Sequence, residues 1–580
     1  MHLFRIWAPR AHKLAVQVDG ARVPLQGPDE HGWWQAQAER AGQGSNYGFL
    51  VDDDPQVYPD PRSLWQPNGV HELSRVYDQD SFVWSDASFQ APPLSSAIVY
   101  ELHVGTFTPE GTLDGAIAKL DHLQQLGVTH VELMPVASFA GDPGWGYDGV
   151  ALFSVHEPYG GPDALKRCVD AAHRQGLAVL LDVVYNHFGP EGNYTGRFGP
   201  YVTEAHRTPW GGAVNLEEAH AYEVRRFFCD NALMWMRDFH IDGLRLDAVH
   251  AFVDRSAIHF LEQLAVETKA LEATLGRRLA LIAESDLNDP RIVTARDAGG
   301  FGLDAQWSDD FHHALFAVLA RKPQGGYYAD FGRLGQLAKA IQDTFVYDGE
   351  YSKYRKRVHG RPANHLPQHR FLGYIQNHDQ VGNRAKGERL TECAGFDRAK
   401  VAAAIVLLAP FVPMIFQGEE WAASSPFPFF ADHDDPELAR RVSEGRKAEF
   451  AAFGWDPVSI PDPEKRETFA SAKLRWDEID DSEHAEMLAW YRDLIELRRI
   501  TPDLNDSESG HAQVRWDEER RWIAMERGSI TLVCNLGEGD FSHSLPQQAK
   551  IVLASRAGLV IDRGSLQLPP DTAVVIHRPK

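Results

Sequence analysis

The spacing of hydrophobic residues changes twice along the chain and divides it into three parts. Over residues 1–90, apolar and polar residues alternate in short runs such as LFRIWAP and KLAVQVDG, which turn residues separate. A period of two is typical of half-buried strands, so this part is predicted to be a small β-sandwich. The Pro- and Ser-rich stretch QAPPLSSA follows and predicts a linker.

From residue 91 to residue 484, short apolar runs alternate with stretches of helical spacing. The candidate strands are AIVYELHVGTF, VTHVELMPV, LAVLLDVVYNH, IDGLRLDAVH, LALIAESD, FGLDAQW, FLGYIQNHD and VPMIFQGEEW. Alternation sustained over this length predicts parallel strands closed into a (β/α)8 TIM barrel. An open doubly wound sheet is the alternative, but such sheets usually run shorter, and no GxGxxG opens a helix after the first strand.

The third part, residues 485–580, begins with a helical stretch and returns to short strands such as RWIAMER and ITLVCNL. It predicts a final barrel helix followed by a C-terminal β-sandwich. The barrel is interrupted at residues 188–219 by an insert rich in Gly, Pro and aromatic residues. An insert of this length is either functional or disordered, and its aromatic residues favour a functional one.

Ionisable residues interrupt several of the apolar strands near their carboxyl ends. In GLRLDAVH, Arg245 and Asp247 share one face, because successive side chains of a strand alternate between faces. Glu284 lies in AESD and Asp379 in IQNHD. Since barrel enzymes bind substrates at the carboxyl ends of their strands, these residues are predicted to meet at one rim. A single polar cluster of this kind is more often a structural ion pair or a turn. The occurrence of several clusters at successive strand ends favours a catalytic site.

Three carboxylates beside an arginine suit the cleavage of an acetal. One carboxyl group has to stay protonated to serve the leaving group, while another has to be ionised near the anomeric carbon. Packing like charges together raises the pKa of one of them, and an arginine keeps another ionised. The histidines of DVVYNH and IQNHD can donate hydrogen bonds to sugar hydroxyls while neutral.

Composition limits the partners of the protein. Among 580 residues, 82 are acidic and 58 basic, which gives a formal net charge of −24. This excess argues against nucleic acid or an anionic membrane as the main partner, whereas a neutral substrate is compatible with it. The N-terminal residues do not read as a signal peptide, and the four cysteines are far apart in the sequence. We therefore expect a cytoplasmic protein and favour a monomer.

DVVYNH, GLRLDAVH, AESD and IQNHD, in this order, resemble the four motif regions of the α-amylase-type glycoside hydrolases. The resemblance implies that Asp247 is the nucleophile, Glu284 the general acid/base, and Asp379 the carboxylate that stabilises the transition state. It also implies that Arg245 orients Asp247. Other residues implied to bind substrate are His187, His378, Tyr147 and Asp148, the last two in GWGYDG.

Longer segments, including YNHFGPEGNY, TPWGGAVNLEE and GYIQNHDQVGNRAKGERL, are similar to the trehalose-forming members of that family. The similarity implies a retaining hydrolase that cleaves the α-1,4 bond between a maltooligosaccharide and a terminal trehalose. The enzyme alternative is a 1,4-α-glucan branching glucanotransferase, against which the insert argues. The non-enzyme alternative is a catalytically silent glucan-binding protein, against which the presence of all three carboxylates argues.

Several less defined residues complete the predicted site. Trp210, Tyr201 and Phe198 of the insert are candidates for a wall that recognises trehalose, and packing within the loop explains each of them equally well. His250 and Glu419 are predicted to line the reducing-end side.

Many family members hold calcium beside the Asn of DVVYNH, and calcium takes six to eight oxygen ligands. The insert offers Glu191 and Glu204 but no run of aspartates. We therefore expect neither a required metal nor an organic cofactor.

Overall fold

Eight parallel strands form a closed barrel at the centre of the molecule. The computed structural model describes residues 1–321, 325–452, 456–505, 512–546 and 548–578. Each barrel strand pairs with the next, and the eighth pairs with the first, so the predicted (β/α)8 barrel is confirmed. In chain order the barrel strands are Val99–Leu102, His130–Leu133, Ala178–Val183, Gly243–Leu246, Ala280–Ala283, Ala305–Trp307, Phe371–Gly373 and Val412–Phe416.

Helices between the strands cover the outside of the barrel with apolar faces. The helix Phe260–Leu275 begins after His259, whose ring accepts a hydrogen bond from the Leu261 amide at 3.2 Å, and ends at Gly276 in a left-handed conformation. The other long helices are Gly161–Arg174, Ala221–Asp238, Asp309–Leu319, Leu334–Asp343, Phe396–Leu408, Pro436–Ala452 and Ser482–Ile500. The short helices are Val104–Phe107, Leu113–Ile117, Leu120–Leu126, Thr195–Phe198, His378–Gly382, Leu390–Ala394, Arg466–Ser471 and Pro502–Asn505.

Two small sheets form the N-terminal β-sandwich that the alternating pattern predicts. Residues from both sheets, such as Phe4, Val16 and Trp34, are buried in a common core. One sheet pairs His2–Trp7 with Trp33–Ala38. The other has the order Ala21–Pro24, Leu14–Val18, Asn46–Val51 and Ser74–Arg75.

The C-terminal part is a second pair of sheets, again as predicted. Val533 and Ile576 of the larger sheet pack against Leu566 and Leu568 of the smaller one. The larger sheet has the order Gln513–Asp517, Trp522–Arg527, Ile530–Asn535, Thr572–His577 and Lys550–Ala554. The smaller has the order Phe541–Ser544, Ser565–Leu568 and Ile561–Asp562. The final barrel helix begins at Ser482, so the predicted boundary at residue 484 falls within it.

The insert is ordered and rests on the N-terminal sandwich. Its helix Thr195–Phe198 is followed by a hairpin of Val202–Thr208 and Gly211–Val214. The ring centroids of Tyr201 and Trp7 are 5.1 Å apart, and those of Phe198 and Phe49 are 6.2 Å apart.

The sequence left open whether three aromatic residues of the insert form a wall of the cleft or pack inside the loop. This packing decides the question for two of them. Tyr201 and Phe198 are buried, so they hold the insert in place and do not form a wall of the cleft. Trp210, at the turn of the hairpin, remains 48% exposed.

Two further antiparallel strand pairs lie outside the barrel sheet. They are Ala137–Ser138 with Ala151–Val155, and Glu350–Ser352 with Arg357–His359. None of the helices within the described ranges has the length and apolar character needed to cross a membrane.

Candidate active site

Asp247 and Glu284 each lie one residue beyond a barrel strand, and the backbone ladder still holds them. The Asp247 amide donates to the Val183 carbonyl at 3.1 Å, and the Glu284 amide to the Leu246 carbonyl at 3.0 Å. The chain then turns at Ala248, whose φ is +41°. This turn directs the Ala248 amide to Glu284 Oε2 at 2.7 Å. The strand ends therefore place the two carboxylates side by side in fixed positions.

Arg245 lies completely buried beneath these carboxylates. Its Nη1 donates to Asp247 Oδ1 at 2.9 Å and to Asp182 Oδ2 at 2.7 Å, and its Nη2 lies 3.1 Å from Glu284 Oε2. Burial alone would lower the pKa of Arg245, but the surrounding acidic groups, Asp182 first among them, raise it well above its ordinary value. One permanent cation therefore bridges three carboxyl groups, as the face-sharing of Arg245 and Asp247 led us to expect.

The carboxyl groups of the site differ in their surroundings. Burial raises the pKa of Glu284 to about 8, with Asp247 and Asp379 adding to the rise and Arg245 opposing it. Asp247 instead accepts hydrogen bonds from Arg245 and from Asn186 Nδ2, the latter at 2.7 Å. Donors of this kind stabilise a carboxylate. The site thus holds a proton on Glu284 near neutral pH beside an Asp247 carboxyl group that accepts two side-chain hydrogen bonds, an asymmetry that suits acetal cleavage.

Tyr147 and His378 form a stacked pair on one side of the carboxylates. Their ring centroids are 5.0 Å apart with planes 23° from parallel. Tyr147 Oη donates to Asp182 Oδ2 at 2.5 Å, and burial raises the pKa of Asp182 to about 6. This hydrogen bond fixes the tyrosine ring at the edge of the cleft.

His187 lies on the opposite side, next to the insert. Its Nδ1 donates to Asn186 Oδ1 at 2.5 Å, and the ring is also hydrogen-bonded to the Tyr147 backbone. Burial lowers the pKa of His187, so the ring is neutral at neutral pH. Trp210 stacks on it with centroids 4.7 Å apart and planes 5° from parallel. Gly189 lets the chain that follows His187 pass close to the Asp148 backbone, because a Cβ there would lie 2.0 Å from the Asp148 carbonyl oxygen.

Most of the predicted site residues line one open cleft of about 620 Å³. The helix Pro436–Ala452 contributes Arg441, Val442, Gly445, Arg446 and Glu449 to the lining of this cleft. The predicted residues that line the cleft are Tyr147, His187, Trp210, Asp247, His250, Glu284, His378 and Asp379.

Two predicted substrate-binding residues are absent from the described lining of this cleft. Asp148 lines a neighbouring pocket, where its Oδ2 lies 4.0 Å from His433 Nε2. Glu419 is buried after the eighth strand and accepts hydrogen bonds from Tyr491 Oη at 2.8 Å and Gln376 Nε2 at 3.2 Å. Burial raises the pKa of Glu419 to about 8. Both positions argue against direct contact with substrate and correct the prediction that Glu419 lines the reducing-end side.

Sequence reasoning missed three residues that contact the site. Glu101, in the first barrel strand, accepts hydrogen bonds from His378. Asn383 Nδ2 donates to Asp379 Oδ1 at 3.0 Å, and Arg446 Nη1 donates to Asn383 Oδ1 at 3.2 Å. A carboxylate inside an apolar strand was a usable signal for Glu101, the same one that identified Arg245. Arg446 gave no comparable signal, because only tertiary packing brings its helix to the cleft.

The surroundings of Asn186 do not fit a calcium ligand. Its Nδ2 donates to Asp247 and its Oδ1 accepts from His187, so both ends of the amide are engaged within the protein. Glu191 belongs to a different group of side chains, with His71 and Asp434. The expectation that no metal is required stays a prediction.

Comparison with known proteins agrees with this geometry. The family of α-amylase catalytic domains matches residues 56–205, and a domain of unknown function, DUF3459, matches residues 507–575. Malto-oligosyltrehalose trehalohydrolase of Rhizobium sp. (strain M-11) is 46% identical over 99% of this chain and 97% of its own length. A 1,4-α-glucan branching enzyme of Corynebacterium jeikeium is 27% identical over 72% of this chain and 60% of its own length.

A solved structure extends the likeness to three dimensions. A crystal structure of a Salmonella typhimurium protein assigned to the α-amylases superimposes with a TM-score of 0.89 at 37% identity, and covers 99% of this chain and 97% of that one. The similarity therefore includes both flanking sandwiches as well as the barrel.

Proposed function

The chain belongs to the malto-oligosyltrehalose trehalohydrolase family of α-amylase-type glycoside hydrolases, and from this membership we propose that it hydrolyses the α-1,4 bond between a maltooligosaccharide and a terminal trehalose. The products are trehalose and a shortened maltooligosaccharide. The observation that carries the proposal is that Arg245 bridges two carboxyl groups in different surroundings: Glu284, whose pKa burial raises to about 8, and Asp247, which accepts hydrogen bonds from Arg245 and Asn186.

The proposed reaction uses this contrast in two steps. Glu284 donates its proton to the glycosidic oxygen while Asp247 attacks the anomeric carbon, which frees trehalose and leaves a glycosyl–Asp247 ester. Glu284, now ionised, removes a proton from water, and this water cleaves the ester with overall retention of configuration. Arg245 keeps Asp247 ionised and correctly turned through the 2.9 Å hydrogen bond.

The remaining lining residues have roles in binding. Asp379 and His187 line the cleft and suit hydrogen bonds to sugar hydroxyls. Tyr147 offers its ring to the glucose unit at the cleavage point. Trp210 offers an exposed indole in the lining of the same cleft, and we assign it to the trehalose side, with His250.

A branching glucanotransferase remains the second candidate, because its chemistry would use the same carboxylates. The two activities differ only in whether water or another glucan accepts the glycosyl group. The identity to the branching enzyme is lower and covers less of the chain than the identity to the trehalohydrolases, which favours hydrolysis.

Product analysis distinguishes these activities. The purified protein is incubated separately with maltooligosyltrehalose, plain maltooligosaccharide and amylose, and the products are separated by chromatography. We expect trehalose from the first substrate at a much higher rate than glucose or maltose from the others. New α-1,6 branches in amylose would identify a transferase instead. Glu284→Gln, which removes the proton donor without changing the size of the side chain, serves as the inactive control.

The proposed partners are neutral α-glucans, and a cytoplasmic location is proposed with them. A formal charge of −24 does not repel a neutral chain, so binding has to come from aromatic surfaces and hydrogen bonds. Binding should therefore change little between low and high salt.

A further inference from the structure

Glu101 is a buried carboxylate whose hydrogen-bond partner among the described residues is His378. It lies in the first barrel strand and is 1% exposed. Its Oε2 accepts a hydrogen bond from the His378 backbone amide at 2.9 Å, and its Oε1 lies 2.5 Å from His378 Nδ1. One side chain therefore holds both the main chain and the ring of a residue that lines the cleft.

This contact determines which nitrogen of the ring faces the substrate. A carboxylate only accepts hydrogen bonds, so Nδ1 of His378 carries a proton. The stacked ring of Tyr147 restricts rotation from one side, and Trp145 lies edge-on with its centroid 5.5 Å away. Nε2 is left on the cleft side, 3.9 Å from Asp379 Oδ1. The imidazole can present either a bare Nε2 or an Nε2–H there, depending on its charge.

The charges around His378 favour the protonated ring. Burial alone would lower the pKa of His378, but Glu101 and Asp379 raise it above its ordinary value, while Arg245 opposes them. Burial lowers the pKa of His103, the neighbouring histidine, to about 3, so it adds no competing charge. The titratable groups that face the ring are Glu101, Asp379, Arg245, Asp182, His103 and Tyr147.

Glu132, the neighbour of Glu101 in the adjacent strand, behaves differently. Glu101 and Glu132 are paired in register, yet neither carboxyl oxygen of Glu132 has a hydrogen-bond partner in the described structure. Burial, together with Glu101 and Asp182, raises the pKa of Glu132 far above its ordinary value. Glu132 is therefore a neutral acid at neutral pH, and in this pair it is Glu101 that contacts His378.

We propose that Glu101 is a positioning residue for the reaction, which holds His378 as an imidazolium whose Nε2–H donates a hydrogen bond to a hydroxyl of the glucose unit at the cleavage point. This inference rests on the proposed function for the identity of that sugar. A charged donor forms a stronger hydrogen bond than a neutral one, and its position is fixed before substrate arrives. Glu101 itself does not touch the substrate.

The test is a double-substitution cycle with Glu101→Gln and His378→Gln. Glu101→Gln keeps the size of the side chain but removes the charge, so we expect kcat/KM to fall about ten- to a hundredfold, as when one charge-assisted hydrogen bond is lost. Because Glu101 acts through His378, the double variant should be no worse than His378→Gln alone. Losses that multiply in the double variant, or an unchanged Glu101→Gln, would overturn the proposal.

Two further variants separate this role from a structural one. Glu132→Gln is the matched control: it changes a buried glutamate of the same layer that does not contact His378, and kcat/KM should stay within about twofold because the group is already neutral. Glu101→Asp keeps the charge and should recover part of the activity lost in Glu101→Gln. Equal losses in Glu101→Gln and Glu132→Gln would indicate general damage to the barrel and contradict the proposal.

A spectroscopic measurement addresses His378 without any reaction. In protein labelled with ¹⁵N-histidine, the His378 signals are identified by their loss in His378→Gln. We expect both ring nitrogens to be protonated at pH 7 in the wild type, and the ring to be neutral in Glu101→Gln. A neutral ring in the wild type would refute the proposal. A chain that showed the imidazolium but released no trehalose would instead contradict the proposed function alone.

Discussion

Arg245 and Asp247 show how a four-residue strand can hold charges inside a barrel. An isolated buried ion is costly, but here each ion has a partner: Arg245 contacts Asp182, Asp247 and Glu284. The arrangement leaves Glu284 as the group that keeps its proton. The chemistry therefore depends on where each carboxyl group lies relative to one guanidinium.

The pH dependence of the reaction should follow Glu284. The raised pKa, about 8, means that Glu284 is protonated at neutral pH and loses its proton as the pH rises through that value. Because the first step needs this proton, we expect kcat/KM to decline tenfold per pH unit above about 8. Trehalose release between pH 5 and pH 10 measures this, with circular dichroism as the control for unfolding. A decline of kcat/KM that already begins near pH 5 as the pH rises would contradict the assignment of Glu284 as the acid.

Removing Arg245 should destabilise the protein as well as inactivate it. Arg245→Met leaves buried carboxylates without their cation, which typically costs about 3–5 kcal/mol in the free energy of unfolding. The shift of the urea unfolding midpoint measures this loss. Arg167→Met is the control, because Arg167 pairs with Asp114 at the surface, where its side chain is 47% exposed. Its loss should change stability by less than about 1 kcal/mol.

At the scale of elements, the helix Pro436–Ala452 brings to the cleft a residue that the barrel strands do not supply. Arg446 lies against the rings of Phe429 and Phe450 and donates hydrogen bonds to Asn383 and to the Gly382 carbonyl. Asn383 in turn donates to Asp379. The helix thereby supports the most exposed of the three carboxylates, whose own short helix is only five residues long.

Weakening this support should lower activity with little effect on stability. Arg446→Met removes the hydrogen bond to Asn383, and we expect kcat/KM to fall about tenfold, the equivalent of one such interaction. Arg440→Met on the same helix is the control, since Arg440 pairs only with Glu437 and Glu444 in the described contacts and lies at the surface. Initial rates of trehalose release compare the two. Similar losses in both variants would show that the helix as a whole was disturbed.

The strands and their polar ends could be predicted from the sequence because they depend on local periodicity. Arg245 and Asp247 share a face through strand geometry alone, and the barrel then brings Glu284 beside them. The burial of Tyr201 and Phe198 could not be predicted, since it depends on a sandwich located more than a hundred residues earlier in the chain. The same holds for Glu419, whose partner Tyr491 belongs to the final barrel helix.

At the scale of the whole molecule, the N-terminal sandwich is attached to the barrel both directly and through the insert. Arg62 pairs with Asp230 at 2.9 Å, and Trp65 donates to Glu157 at 2.8 Å. Trp7 packs edge-on against Tyr201 of the insert. The hairpin that carries Trp210 therefore has the N-terminal sandwich behind it and His187 in front of it.

Removing the contact between Trp7 and Tyr201 should weaken substrate binding, although neither residue lines the cleft. Tyr201→Ala removes a buried aromatic ring, which typically costs about 3–5 kcal/mol of stability, and loosens the support of Trp210. We expect KM for maltooligosyltrehalose to rise by a larger factor than kcat falls. Tyr222→Ala is the control, because Tyr222 is 67% exposed. Steady-state kinetics and thermal unfolding of both variants test this, and an unchanged KM in Tyr201→Ala would contradict it.

The support of the insert by the N-terminal sandwich has an evolutionary consequence. The sandwich carries none of the three carboxylates, yet substitutions at its contact with Tyr201 can move the tryptophan that faces the cleft. On the proposed assignment of Trp210 to the trehalose side, mutations in one domain would alter which glucan end is accepted, while the carboxylates that carry out the reaction, which lie in another domain, stay unchanged. Descendants of one ancestral barrel could in this way have acquired different substrates without passing through an inactive form.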